Sequence, residues 1–331
     1  MQNILSMSVI ESVEKNSIIF GPINSRRFGM SLGIDLSPSF KQCNFDCLYC
    51  ELAPAATVDK QQDVVSVETI IQELQKHLSD TIDVITLTAN GEPTLYPYLD
   101  ELIEQINKIK GTTQTLILTN SATLHDPKVY HSLLHLDQVK LSLDAVSSDI
   151  FKKIDRPHPS IHVSDIIQDV ERFSHQFKGK LFIEILFVKG LNDTAEEIAK
   201  LNDVLHKIDA TRIDLGTIDR PPAYPVEPLS YEALHTIAQQ FDAELPIHIA
   251  SRHNREAKPQ NYTYEAIINT LDKRPLTQED INLLFDEASQ KRFQELLKEG
   301  KITQQTKENL TFFLPTQNLH RKRTKKAKQP L

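Results

Sequence analysis

The sequence predicts an α/β protein, a partial (β/α)6-type barrel followed by a small α+β domain. Three observations predict it. From about Met30 to Ala250, short β-branched runs alternate with stretches of helical spacing, the pattern of a parallel sheet wound with helices. In VKLSLD, Val139, Leu141 and Leu143 share one face while Lys140, Ser142 and Asp144 share the other, which suits a sheet curved around a solvated interior better than one covered on both sides. At Ser251 to Tyr262 (SRHNREAKPQNY) the apolar periodicity is lost, and a new set of short elements follows.

Six strands are predicted: Ser31 to Leu36, Asp83 to Thr88, Thr115 to Thr119, Gln138 to Leu143, Leu181 to Val188 and Arg212 to Thr217. A seventh run, Pro246 to Ala250, reads as an edge strand. Residues 1–250 form the first expected domain and 251–262 a linker. In residues 263–316, three short helices precede two strand-like runs around Lys307, Glu308 and Asn309, the order of a winged helix-turn-helix. Residues 317–331 read as a basic, disordered tail: His320 to Lys328 holds six Lys/Arg and no acid, in a chain whose net charge is -8. A phosphate or RNA contact is the alternative reading of that tail.

Composition narrows the class. With 331 residues, 40% hydrophobic and 25% charged, the chain can bury a sizeable core. The N-terminal MQNILSMSVIESVEK mixes acids into its apolar positions, and no run approaches the roughly 18 apolar residues of a membrane span. A cytoplasmic protein without membrane partners is expected. All three cysteines fall between Cys43 and Cys50, and an odd, tightly spaced set argues against disulfides.

Those cysteines carry the chemistry. KQCNFDCLYCEL places Cys43, Cys47 and Cys50 in a C-x3-C-x2-C spacing just after the first predicted strand. Thiolates select soft metals, so zinc or an iron-sulfur cluster are the candidates, with a redox motif as a further alternative. A closed zinc site would want a fourth Cys or His nearby, and the closest histidine is His77. Three ligands on a four-iron cluster leave one iron open, as an open catalytic metal site requires.

With Tyr49 at the aromatic position before the last cysteine, this segment resembles the signature of the radical S-adenosylmethionine (SAM) superfamily. The resemblance implies a barrel of the TIM kind, a 4Fe-4S cluster on Cys43, Cys47 and Cys50, and SAM chelating the open iron. It also implies reductive cleavage of SAM to a 5'-deoxyadenosyl radical that abstracts hydrogen from substrate. A one-electron donor such as flavodoxin or ferredoxin is then required. Gly91, Glu92 and Pro93, at the end of the second strand, resemble the family's motif for the methionine amino group. A carboxylate such as Glu92 accepts charge-assisted hydrogen bonds from an amine, and Gly91 permits close approach. Asn120, Ser142 and Asp144 match positions that contact SAM in this family, their alternative being polar strand ends satisfied by backbone.

In a β/α barrel the active site gathers at the C-terminal ends of the strands. Two Arg-Pro turns, around Arg156 and Arg220, lie there too, and Glu184 sits inside the fifth strand. Lys140, Glu184, Arg156 and Arg220 are the substrate-facing candidates, able to fix an anionic group and a polar edge. Ion pairing among strand ends and loops is the competing reading.

GPINSRRFGMSLGIDL, NGEPTL, SLDAV, RPHPS, VKGLNDT and DRPPA, in that order, resemble a radical SAM group related to the wyosine (tricyclic tRNA base) synthases. Those synthases carry a further cysteine-bound cluster, whereas this chain has no cysteine beyond the first three, so one thiolate-held cluster is the maximum. RNA is a candidate partner. Residues 263–316, however, hold nine acids against seven Lys/Arg and lack the positive field of a phosphate binder. Lys291 and Arg292 lie near the start of the third helix, and Phe293, Leu296 and Leu297 follow core spacing. A lid or interaction surface is the other reading of this domain. An enzyme of unknown substrate is therefore expected, the alternative being an iron-sulfur-dependent regulator that binds nucleic acid. A regulator would have no use for Glu92 or for the polar face of Lys140, Ser142 and Asp144.

Overall fold

The protein is described by a computed structural model covering residues 18–25, 27–249, 259–273, 275–307 and 310–316. The N-terminal residues 1–17, most of the expected linker (251–258) and the basic tail 317–331 lie outside the described residues. Two compact units are present, one spanning Pro22–Ala257 and the other taking in Met1–Gly21 and Lys258–Leu331.

The first unit is built on an eight-stranded sheet whose strands lie in chain order. They are β1 (Ile19–Ser25), β2 (Gly29–Asp35), β3 (Val84–Thr88), β4 (Gln114–Thr119), β5 (Gln138–Ser142), β6 (Lys180–Phe187), β7 (Arg212–Thr217) and β8 (Ile247–Ile249). Every pairing from β2 with β3 through β7 with β8 is parallel. Helices α1 (Val67–His77), α2 (Leu99–Ile109), α3 (Pro127–Leu133), α4 (Ser148–Ile154), α5 (Val163–Gln176), α6 (Ala195–Leu205) and α7 (Tyr231–Ala238) fill the connections. Strands in chain order with helical crossovers are what a winding β/α barrel produces.

Local chemistry starts these helices where the strands need covering. Ser66 caps α1 by accepting from the Thr69 N–H, and Val67, Ile70 and Leu74 form its buried stripe. In α2, Leu99, Leu102, Ile103 and Ile106 are buried at the spacing of one helical face. Thr194 caps α6, whose first turn carries Glu196 and Glu197 against the positive end of the helix dipole.

The sheet alternates as VKLSLD predicts. Val139 and Leu141 are fully buried on one face, while Lys140 and Ser142 point to the other. Residues Ser142, Glu184, Asp214 and His248 are register partners across β5, β6, β7 and β8, so they form one polar row on the inner face. The sheet is curled around that face, because Arg27, in the turn between β1 and β2, hydrogen-bonds Glu184 on β6 and Asp214 on β7 at 2.9 Å each. Among the described residues no helix is long and apolar enough to cross a membrane.

The second unit contains α8 (Tyr264–Lys273), β9 (Leu276–Thr277), α9 (Gln278–Leu284), α10 (Glu287–Lys298), β10 (Ile302–Lys307) and β11 (Leu310–Pro315). Strand β11 pairs antiparallel with both β10 and β9. A capping box between Thr277 and Asp280 starts α9. Ile267, Leu276, Ile281, Phe285, Phe293 and Phe313 form its core, with Leu296 buried and Leu297 packed alongside. Tyr262 belongs to that core and Gln260 bridges to Phe285, so the end of the expected linker is part of this unit. An aromatic ring with a core to enter loses more by staying in solvent than a polar-looking neighbourhood suggests. Arg292 donates to Asn261 Oδ1 (3.0 Å) and to the Tyr262 carbonyl (2.7 Å), which ties its guanidinium inside the unit.

Candidate active site

The three cysteines lie on the connection between β2 and α1, at the C-terminal edge of the sheet, and all three are free and half-buried. Backbone bonds hold this loop to its neighbours. The Gln42 N–H donates to the Asn90 carbonyl (2.9 Å), the Glu92 N–H donates back to the Gln42 carbonyl (3.0 Å), and the Val58 N–H closes onto the Cys43 carbonyl (2.9 Å). The Gln42 side chain, buried to 1% exposure, adds bonds to Ser37 and to the backbone of Gln62 and Asp63.

Gly91 is required by this arrangement. Its φ is +139°, and a Cβ there would stand 1.9 Å from the Gln42 carbonyl oxygen. Glycine here permits the close approach of the Gly-Glu-Pro turn to the cysteine loop. That partner is invisible in the sequence, where Gln42 looks like a spacer.

Glu92 also has inward duties. Its Oε1 accepts from the Thr94 N–H (3.1 Å), the Thr94 hydroxyl (2.6 Å) and the Thr119 hydroxyl (2.6 Å), and its Oε2 accepts from the Asn120 N–H (2.8 Å). Burial raises its pKa, and these donors oppose the rise. The carboxylate therefore ties the end of β3 to the end of β4, and Oε2, with one donor, is the oxygen with acceptor capacity left. Asn120 continues the chain of contacts: its Nδ2 lies 2.6 Å from Asn44 Oδ1 and 3.9 Å from Cys43 Sγ.

A pocket beside the cysteines is lined by Tyr49, Asn120, Ser142, Asp144 and Asp155, with Phe45 and Phe151 among its apolar walls. The Tyr49 hydroxyl donates to Asp144 and lies 3.5 Å from Asp155 Oδ1. Asp144 also accepts from the Leu186 N–H at 2.7 Å. Burial raises both carboxyls, Asp144 to about 6, so a proton can be held on this row near neutral pH. Tyr49, Asn120, Ser142 and Asp144 are thus brought together; Asp155, at the end of α4, was missed because nothing in DRPHPS points it toward Tyr49.

Lys140 and Glu184 meet each other rather than standing free. Lys140 Nζ lies 2.5 Å from Glu184 Oε2, and Arg27 bridges Glu184 and Asp214. Arg212 and His248 complete the group on Asp214, whose side chain is fully buried. Arg27 and Arg212 enter at the N-terminal ends of β2 and β7, so the cluster forms a charged floor to the barrel interior. Lys140 and Glu184 thus share the inner face that the alternation predicts, and both are held there in ion pairs whose partners the sequence does not reveal. Burial pushes Glu184 upward, but Lys140 and Arg27 outweigh it and hold its pKa at about 2, well under the ordinary 4.5.

Glu184→Gln should therefore cost on the order of 3–5 kcal/mol at neutral pH, because Arg27 and Lys140 lose their compensating charge inside the barrel. The carboxylate's contribution is fully present above pH 4.5 and fades as pH falls toward 2, so the gap between wild type and variant should close over that window. Urea unfolding at several pH values measures it, and equal midpoints at pH 7 would contradict it.

Arg156 and Arg220 also face acids of the cysteine loop. Arg156 Nη2 lies 3.6 Å from Asp46 Oδ2, its guanidinium stacks on the Tyr224 ring at 4.6 Å, and Arg220 pairs with Glu51. Lys41 Nζ takes the other Asp46 oxygen at 2.9 Å. Both acids flank cysteines in the sequence, which is the signal that could have assigned these arginines to the loop.

The donor set fits a cluster with an open corner: three thiols on one short segment, with no fourth cysteine in the sequence. Among the described residues no three His, Cys, Asp or Glu converge on a single ion. A cubane takes one thiolate per iron and needs no such convergence. Burial pushes the Cys43 thiol up to about 12 and raises Cys47 and Cys50 as well, so a coordinated metal is what would deprotonate them.

The family profile described as Radical SAM superfamily matches residues 37–202, which contain every element from the cysteine loop through most of α6. The chain belongs to the radical SAM superfamily. Its members are enzymes that use a 4Fe-4S cluster and SAM. A UPF0026 protein of Helicobacter pylori strain J99 is 39% identical over 304 residues, covering 91% of this chain and 98% of that protein. A GTP 3',8-cyclase of Clostridium botulinum is 27% identical over 153 residues, 46% of either chain. The solved structure of a radical SAM methyltransferase from Sphaerobacter thermophilus superposes with a TM-score of 0.52 at 15% identity, over 68% of this chain and 67% of that one, a likeness of fold.

Proposed function

We propose that this radical SAM enzyme holds one 4Fe-4S cluster on Cys43, Cys47 and Cys50 and abstracts hydrogen from a nucleotide or RNA substrate bound at the C-terminal end of the barrel. The observation that carries the site assignment is the bonded continuity of the cysteine loop, the Gly-Glu-Pro turn and the ends of β4 and β5. Gln42 joins Asn90 and Glu92, Glu92 joins Asn120, and Asn120 reaches Asn44 and Cys43. A single cluster is proposed because the sequence has no thiol outside this loop.

When bound, the cluster supplies one electron to the SAM sulfonium and so provides the radical for hydrogen abstraction. The protein's own part is binding and orientation. The Phe45 N–H reaches Cys43 Sγ at 3.4 Å, and donors of this kind stabilise thiolate charge. Glu92 Oε2 is placed to accept from an amine, and Ser142, Asp144 and Tyr49 offer polar contacts in the adjoining pocket. Phe45 and Phe151 exclude water from the same pocket, which protects a reactive intermediate.

The substrate class is suggested by the resemblance to a group related to the tRNA base synthases and by relatives named as a GTP 3',8-cyclase and an S-adenosylmethionine-dependent nucleotide dehydratase. For the second unit we propose a winged-helix arrangement, with β10 and β11 as the wing, serving as an interaction surface. Its excess of acids and the internal bonds of Arg292 weigh against phosphate reading. A cytoplasmic setting with flavodoxin or ferredoxin as electron donor fits reduced thiols and low-potential chemistry.

Anaerobically reconstituted protein given dithionite and SAM should form 5'-deoxyadenosine. Cluster-replete protein that forms none would refute the reading. Mass spectrometry of RNA and nucleotides from a deletion strain should show one modified species missing, and unchanged profiles would remove the proposed substrate class.

A further inference from the structure

We propose that residues 220–224, on the connection after β7, form a strap that seats the cysteine loop for its cluster, with Tyr224 and Arg220 as positioning residues; this rests on the cluster assignment above. The loop is gripped from two flanks of different character. On one flank, backbone meets backbone: the Asp46 N–H donates to the Asp155 carbonyl (3.1 Å), the Leu48 N–H to the Ile154 carbonyl (2.8 Å), and the His158 N–H to the Asn44 carbonyl (2.7 Å). On the other flank one backbone bond, Ala223 N–H to the Cys50 carbonyl (2.8 Å), is reinforced by side chains. There the Tyr224 hydroxyl donates to Asp46, and Arg220 pairs with Glu51.

The two acids bracket the segment that runs from the second cysteine to the third. Asp46 lies between Cys43 and Cys47, and Glu51 directly follows Cys50. With Ala223 on Cys50 between them, the strap contacts the segment that carries two of the three proposed ligands. Lys41 occupies Asp46 Oδ1, so Oδ2 is left to the Tyr224 hydroxyl, which bonds it, and to Arg156, which stacks on the Tyr224 ring and lies 3.6 Å from the same oxygen. The strap reads RPPAYP, and Pro221, Pro222 and Pro225 restrict its backbone, which lets it act as a preset surface rather than a floppy connection. Because this segment leaves β7 at the same end of the barrel as the cysteines, substrate binding there and cluster seating would share one structural element.

The test compares wild type, Tyr224→Phe, Arg220→Gln and Arg220→Lys, all full-length and reconstituted with iron and sulfide without air. Three quantities are read: iron release to a ferrous chelator, the paramagnetic resonance spectrum of the reduced cluster, and the melting curve of the metal-free protein. Tyr224→Phe keeps the ring under Arg156 and removes only the hydroxyl. It and Arg220→Gln should each release iron about tenfold faster, the effect of losing one charge-assisted hydrogen bond. Both should also alter the cluster spectrum and leave metal-free melting unchanged, and Arg220→Lys should release iron at a rate between wild type and Arg220→Gln. Release and spectra identical to wild type would overturn the strap, as would metal-free variants that melt earlier and so account for the loss by misfolding. Wild type that takes up no iron and sulfide would overturn the cluster assignment itself.

Discussion

Gly91→Ala is expected to strip the chain of its capacity to hold a cluster and to destabilise the metal-free protein as well. The added methyl would lie 1.9 Å from the Gln42 carbonyl oxygen and 2.4 Å from its carbon, and both belong to backbone that no side-chain rotation can move. The residue would also keep a φ of +139°, outside the range that alanine adopts readily. Relief requires parting the turn from the loop, which sacrifices the bonds from Gln42 to Asn90 and from Glu92 to Gln42 immediately before Cys43. A loss on the order of 3 kcal/mol is expected in urea unfolding, from strain and broken bonds together. Iron and sulfide per chain after reconstitution should fall with it. Wild-type stability with full cluster content would show that the turn and the loop are not coupled.

The second large effect is chemical. Cys47→Ala should eliminate 5'-deoxyadenosine formation and leave no stable four-iron cluster, because two thiolates cannot replace three around an open corner. Cys47 is the middle cysteine of the segment, and the Cys50 N–H closes on its carbonyl at 3.1 Å, so the backbone turn can persist after the sulfur is gone. Metal-free Cys47→Ala should accordingly melt close to the metal-free wild type, which separates loss of chemistry from loss of fold. Retained activity would remove Cys47 from the ligand set.

How far the sequence alone reached follows from which interactions are local. Strands β2 through β8 were readable because β-branched runs and alternation are written within each strand, as in VKLSLD. Strand β1 escaped because Gly21 and Pro22 interrupt its run, and both residues ordinarily argue against a strand. The face of Lys140 and Glu184 was legible, whereas the second cation on Glu184, Arg27, lies 157 residues from it in the chain. Arg156 and Arg220 stood out as arginines in turns, but their partners Asp46 and Glu51 looked like spacers between and after cysteines. Tyr262 was read as linker because its neighbours are polar, and only the core formed by Phe285 and Phe293 explains its burial. The cysteines, by contrast, needed no distant partner to be recognised: thiol count and spacing already restrict the metal they can bind.

The central claim is tested most directly by measuring iron, acid-labile sulfide and zinc in protein purified and reconstituted without air, alongside the resonance spectrum after reduction. About four irons and four sulfides per chain are expected, with a signal that changes when SAM is added and negligible zinc. One tightly held zinc per chain, with iron and sulfide near zero, would contradict it.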